Sequence, residues 1–136
     1  MTYPHWNKTP STETDWFEAL TGLARYLRGP DGCPWDREQS MADFASYARE
    51  EADELVEAVA SGDNSHIQEE FGDVLFVLLA TAVAAEQEGR FSLREALDRA
   101  HQKMIRRHAH VFGGARAETP QDAVDAWNRV KQDEKQ

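Results

Sequence analysis

An all-α fold, a helical bundle of about five helices, is what the pattern of this chain predicts. Apolar residues recur at spacings of three and four along most of its length, and nothing alternates with period two for long. The breaks between periodic stretches carry helix punctuation, with Ser or Thr before the starts and Gly after the ends. At 136 residues the chain suits one domain and is too short for two separate cores.

Residues 1–12 read as a flexible arm ahead of a domain over 13–136. A first helix near Asp15 to Arg28 aligns Trp16, Phe17, Leu20, Leu23, Ala24 and Leu27 on one stripe and stops at Gly29-Pro30. The loop GPDGCPWDREQ follows, from Gly29 to Gln39, after which Ser40 or Asp43 caps a second helix running to about Ser61. Gly62-Asp63 ends it. Ser65 with Gln68 forms a capping box for a third helix to about Glu88, with Ile67, Phe71, Val74, Leu75, Leu78, Leu79 and Ala82 in register. From Val74 onward this helix is apolar nearly all round, which marks it as central. Ser92 with Glu95 repeats the box and opens a fourth helix to about His108, and Gly113-Gly114 closes that region. Thr119 as cap, with Pro120 at the first helical position, starts a fifth helix carrying Ala123, Val124, Trp127 and Val130.

Composition narrows the function. Lys and Arg number 15 against 25 Asp and Glu, a net charge of −10, which argues against a nucleic-acid polymer or an anionic membrane as partner. A phosphate ligand would need bound cations. The longest apolar run, Val74 to Ala85 with Thr81 inside it, falls well short of the roughly 20 residues that a membrane-spanning helix needs. The N-terminus lacks a basic start and an apolar signal core, and the single cysteine, Cys33, fits a reducing compartment, so the cytoplasm is the expected location.

On a helical wheel of roughly 100° per residue, Phe44, Tyr47, Ala48, Leu55, Ala58 and Val59 define the buried stripe of the second helix. Glu51 falls inside that stripe, Glu54 sits at its edge and Glu50 lies further round, whereas Asp53 and Glu57 point to the opposite side. A buried carboxylate needs a cation partner or a proton. The third helix supplies a second pair, Glu70 and Asp73, so the pattern is EExxE, fifteen residues, ExxD. Two antiparallel helices joined by a short turn bring both pairs together as four hard oxygen ligands, which suit Mg²⁺ or Mn²⁺ better than zinc. On the expectation that no basic residue between Glu50 and Glu88 neutralises them, a metal is the economical explanation. A di-iron bundle would require Glu-x-x-His on two helices, and neither pair ends in His.

On the fourth helix Lys103 and Arg107 share a flank at i, i+4, where they either grip phosphate oxygens or simply answer the helix dipole; Arg106 looks more solvent-facing. His108 and His110 with one distant cysteine are weak grounds for zinc. Trp35, in Cys33-Pro34-Trp35-Asp36, either plugs the core or stacks on a base, and Trp127 with Lys131 at i, i+4 has the same two readings.

In order, LRGPDGCPWDREQS from Leu27, EEADE from Glu50, EEFGDVLF from Glu69, EQEGRF from Glu86, KMIRRHAHVF from Lys103 and WNRVK from Trp127 resemble the MazG family of all-α nucleoside triphosphate pyrophosphohydrolases, over about Leu20 to Gln136. The resemblance implies hydrolysis of a nucleoside triphosphate between the α and β phosphates to a monophosphate and pyrophosphate, with nucleotide-pool housecleaning as the role. It implies Mg²⁺ as cofactor, with Mn²⁺ as substitute, held by Glu51, Glu54, Glu70 and Asp73, with Glu50 adjacent as a candidate base. Lys103 and Arg107 match phosphate-contacting positions, Trp127 and Lys131 nucleotide-contacting ones, and Trp35 and Asp36 a signature loop. A homodimer whose helices complete a four-helix active-site bundle is implied as the minimum assembly. The alternatives are a dUTP or phosphoribosyl-ATP pyrophosphohydrolase of the same superfamily, or a non-catalytic acidic interaction module.

Overall fold

A computed structural model describes residues 6–136, and within them the chain forms seven helices and no strand. They are α1 (Glu13–Leu27), α2 (Pro34–Glu38), α3 (Met41–Ser61), α4 (Asn64–Gln87), α5 (Leu93–Arg107), α6 (Ala109–Phe112) and α7 (Pro120–Asp133). The five long ones are those the periodicity predicts. The two additional ones, α2 and α6, are five and four residues long, too short to show a period of 3.6. Part of the expected N-terminal arm, residues 1–5, lies outside the described residues. Among the others, Lys8 Nζ lies 2.8 Å from Asp15 Oδ1, and Ser11 donates to Asp15 Oδ2 through both its amide and its hydroxyl.

The chain divides into two compact units, 1–93 and 94–136. In the first, α3 and α4 form a hairpin. Ser40 caps α3 in a reciprocal box with Asp43. The turn is two residues long because Gly62 takes φ +77°, a left-handed conformation that glycine reaches without steric cost. Asp63 then caps α4 by accepting from Ser65 N, in place of the expected Ser65–Gln68 box: Asp63 already holds the Ser65 amide that begins the helix. Phe44 near the start of α3 packs on Ala80 and Ala84 near the end of α4, with Met41, Tyr47 and Val77 around them, so the two helices run antiparallel. Alanines that are fully buried, Ala58, Ala84 and Ala85, keep side-chain bulk low where the backbones approach.

The central position of α4 follows from its second half, where Leu79, Ala80 and Ala82–Ala85 are all buried, and from its packing against both α3 and α1. The loop after α1 is tied back by Arg28. Its Nη1 donates to the carbonyls of Asp36 and Gln39, its Nε donates to Gln87 Oε1 at 2.8 Å, and its guanidinium lies 5.7 Å from the Phe44 ring centre. A Cβ at Gly32 would collide with the carbonyl oxygens of Tyr26 and Leu27, so this close approach requires glycine.

Four residues expected on buried stripes are exposed: Trp16, Val59, Phe71 and Leu78, with Phe71 at 61%. Within this unit α1 is the one other long helix beside the hairpin, and it packs on α4. An apolar stripe records which face avoids water, and the first unit has no further long helix to shield it.

The second unit contains most of α5, then α6 and α7. His108, with φ −102° and ψ 46°, interrupts the helical path between α5 and α6. α7 begins as expected at Thr119 with Pro120 in its first turn, and Thr119 and Asp122 cap each other reciprocally. Ala126 is its one buried residue, and α6 packs against it. No helix among the described residues is long and apolar enough to cross a membrane.

Phe44 is 4% exposed at the centre of the hairpin core. Phe44→Ala is expected to cost about 3 to 5 kcal/mol, and the outward-facing Asp53→Ala less than about 0.5 kcal/mol. Denaturant melts of the two variants measure the difference.

Candidate metal centre on the helical hairpin

Because α3 and α4 run antiparallel from a two-residue turn, Glu51 in the middle of α3 meets the first half of α4. One carboxylate oxygen from each of Glu51, Glu70 and Asp73 lies within 4.8 Å of the others. Glu54, at the wheel's edge position, is exposed and outside this group of three, and it raises the pKa of both Glu51 and Glu70. Three of the four expected carboxylates are thus brought together, and Glu54 stands outside the group. Glu50, Asp53 and Glu57 are exposed on α3 and do not belong to the cluster.

The electrostatics record the cost. Burial pushes the Glu51 carboxyl up from 4.5 to about 7, helped by the Glu54 hydrogen bond and by the charges of Glu54, Asp73 and Glu70. Burial raises Glu70 as well, followed by the charge and hydrogen bond of Glu54 and the charge of Asp73. Glu51 Oε2 and Glu70 Oε2 are buried without a hydrogen-bond partner. Unpaired carboxylate oxygens converging on one point make a hard, anionic donor set that fits Mg²⁺ or Mn²⁺. This is the one group of His, Cys, Asp and Glu among the described residues with metal-holding geometry; His108 and His110, 5.5 Å apart between ring centres, are not part of any such group.

One contact corrects the expectation that no basic residue serves this stretch. His66 Nε2 lies 3.4 Å from Glu70 Oε1, and its charge opposes the rise of the Glu70 pKa. The i, i+4 spacing on α4 was its signal in the sequence.

In the same unit, Trp35 is half exposed, tilted over Tyr47 at 5.6 Å between ring centres and edge-on to Phe44 at 6.2 Å. It plugs the top of the hairpin core while leaving part of its surface open. Asp36 engages through its carbonyl, held by Arg28.

The other expected site residues, Lys103, Arg107, Trp127 and Lys131, belong to the second unit. Arg107 has a side chain 14% exposed, stacked 5.3 Å from the Trp127 ring centre, with Nη2 2.8 Å from Glu134 Oε2. Arg106 is more exposed, as expected, yet its Nε lies 2.6 Å from Oε1 of the same carboxylate. Glu134, held down to about 2 by hydrogen bonds first from Arg107 and then from Arg106, has no local signal in the sequence, being 27 residues away. Trp127 also takes the edge of His108 at 5.4 Å. Lys103 is half-buried and Lys131 exposed.

Residues 39–112 match the family described as the MazG nucleotide pyrophosphohydrolase domain, more than half of the chain and all of the carboxylate cluster. The chain belongs to the MazG family. The YabN protein of Bacillus subtilis is 39% identical over 119 residues, covering 88% of this chain and 24% of the relative. A nucleoside triphosphate pyrophosphohydrolase of Escherichia coli is 36% identical over 119 residues, 87% of this chain and 45% of the relative. The chain therefore spans less than half the length of these curated relatives. Among solved structures, a MazG-related protein from Thermotoga maritima superposes with a TM-score of 0.71 at 27% identity, over 85% of this chain and 98% of that one. The all-α reading of the sequence is thereby matched by a MazG structure.

With chelator present, the raised Glu51 and Glu70 carboxyls bind more protons folded than unfolded, so their contribution to stability is complete below about pH 4.5 and is lost as pH rises toward 7. The melting temperature in EDTA is expected to fall across that window. Glu51→Gln is expected to flatten the fall, and a pH series of thermal melts on both proteins checks it.

Proposed function

We propose that this MazG domain hydrolyses nucleoside triphosphates to the monophosphate and pyrophosphate, with Mg²⁺, or Mn²⁺ in its place, held by Glu51, Glu54, Glu70 and Asp73. The observation that carries the reading is the convergence of the Glu51, Glu70 and Asp73 carboxylates, two of their buried oxygens unpartnered, in a chain of this family. A divalent cation bound there supplies Lewis-acid polarisation of phosphate oxygens and lowers the pKa of water beside it. The residues of the chain do the rest. Glu50, next to Glu51 on α3, is in this reading the base that takes the proton of the attacking water. Water attacks the α phosphorus, the bond from that phosphorus to the bridging oxygen breaks, and the electron pair leaves with pyrophosphate. Lys103 and Arg107 offset the charge that grows on the leaving group. Trp127, Lys131, Trp35 and Asp36 bind the nucleotide in this reading. A reducing, nucleotide-filled cytoplasm is the compartment it implies, and clearance of unwanted triphosphates the role.

A second copy of the chain is the partner this reading includes. The exposed apolar residues of the hairpin, Val56, Val59, Phe71 and Leu78, form the surface that a homodimer would cover, completing a four-helix bundle around the carboxylates.

A pyrophosphate-release screen over natural, deoxy and modified triphosphates, dUTP and phosphoribosyl-ATP tests the activity. Expected are pyrophosphate and monophosphate as primary products, dependence on Mg²⁺ or Mn²⁺, and loss of turnover in Glu51→Ala and Asp73→Ala with Asp53→Ala and Glu57→Ala near wild type. Arg107→Ala is expected to lower kcat/KM by roughly 10 to 1000-fold. Orthophosphate and diphosphate as primary products would sink the reading. For the assembly, light scattering after size exclusion is expected to give twice the chain mass, and Phe71→Glu to shift it toward the monomer.

A further inference from the structure

Of the side chains that touch the three converging carboxylates, His66 is the one that the proposed mechanism leaves without a task. Its imidazole sits one turn before Glu70 on α4, with Nε2 3.4 Å from Glu70 Oε1. Glu70 is 9% exposed, and its other oxygen, Oε2, is buried with no hydrogen-bond partner. The two oxygens of one carboxylate are therefore in different situations: one faces an imidazole, the other is free. No Lys or Arg side chain among the described residues pairs with Glu51, Glu70 or Asp73.

We infer that His66 is a positioning residue for the divalent cation, anchoring Glu70 through Oε1 so that Oε2 is presented to the metal. This rests on the metal-site reading above and adds to it a residue outside the carboxylate set. A ligating carboxylate that is gripped from behind loses rotational freedom before the metal arrives, so less is lost on binding, and an outer partner of this kind changes metal affinity by roughly 10 to 100-fold. The competing account is that His66 merely neutralises the cluster in place of a cation. The two accounts differ in sign. An anchor strengthens metal binding, whereas a stand-in charge weakens it, since the metal must then overcome the repulsion of the imidazolium.

The test is a Mn²⁺ titration of the full chain, followed by the electron paramagnetic resonance signal of the free ion, on wild type, His66→Ala and His66→Gln. The His66 side chain is 46% exposed, so both variants are expected to fold and melt like wild type. Expected are a Kd for Mn²⁺ raised roughly 10 to 100-fold in His66→Ala and largely restored in His66→Gln, whose amide donates to Glu70 from the same turn without carrying charge. An unchanged or tighter Kd in His66→Ala overturns the inference, as does a Gln variant no better than Ala. If wild type binds no Mn²⁺, the metal-site reading fails and takes this inference with it. If wild type and both variants bind alike, only the inference fails.

Discussion

Mutual repulsion among carboxylates is the constraint around which the first unit is built. Oxygens of Glu51, Glu70 and Asp73 within 4.8 Å of one another, with the Glu54 charge acting on two of them, is an arrangement that an isolated chain resists. What holds it is the register of the α3–α4 hairpin. Gly62 reverses the chain in two residues, Ala58, Ala84 and Ala85 let the helices close, and Phe44 locks the far end against Ala80 and Ala84. A slip along either helix would carry the two acidic pairs out of reach of each other and strand Phe44. The same packing that stabilises the fold therefore imposes the cost at the site, and the raised pKa of Glu51 is the record of that opposition.

The apolar surface of the unit follows from the same geometry. A hairpin that dedicates part of one face to clustered carboxylates has less area to bury against its own chain, and α1 packs against α4. Phe71 is the instructive case: it sits one residue after Glu70 and two before Asp73, within the acidic turn of α4, and is exposed. In the proposed dimer a second surface would close over Phe71 beside the carboxylates, and excluding water there strengthens every electrostatic interaction at the site.

Much of this was legible in the sequence, and the reasons for the gaps are physical. Helices longer than three turns announce themselves by period and cap, which is why α1, α3, α4, α5 and α7 were visible; α2 and α6 hold one turn each, and a single turn has no period. The inward position of Glu51 followed from the wheel because Tyr47, Leu55 and Ala58 bracket it on α3. The wheel failed for Val59, Phe71 and Leu78 for a different reason: it orders residues around one helix and is silent on what covers each face. His66 was legible at i, i+4 from Glu70, and is lost when only strong bases are counted. Glu134 was not legible at all, since its contact to Arg107 depends on tertiary packing.

That contact changes how the basic residues of the second unit are to be understood. Two guanidiniums meeting one carboxylate leave one net positive charge, with Glu134 held ionised at every working pH by the hydrogen bonds that depress it to about 2. Arg107 is braced on a second side by Trp127, a cation–π contact in a mostly buried setting. Its planar fork is therefore oriented before any ligand arrives, and little side-chain entropy remains to be lost on binding. An incoming anion must share the pair with Glu134 or displace it. A singly charged anion gains little from such an exchange. A phosphate chain, with about four negative charges at the triphosphate stage, gains more from the same guanidiniums. In the proposed reading, where Arg107 meets a triphosphate, a cationic group guarded by its own carboxylate favours highly charged ligands over smaller anions in a chain of net charge −10.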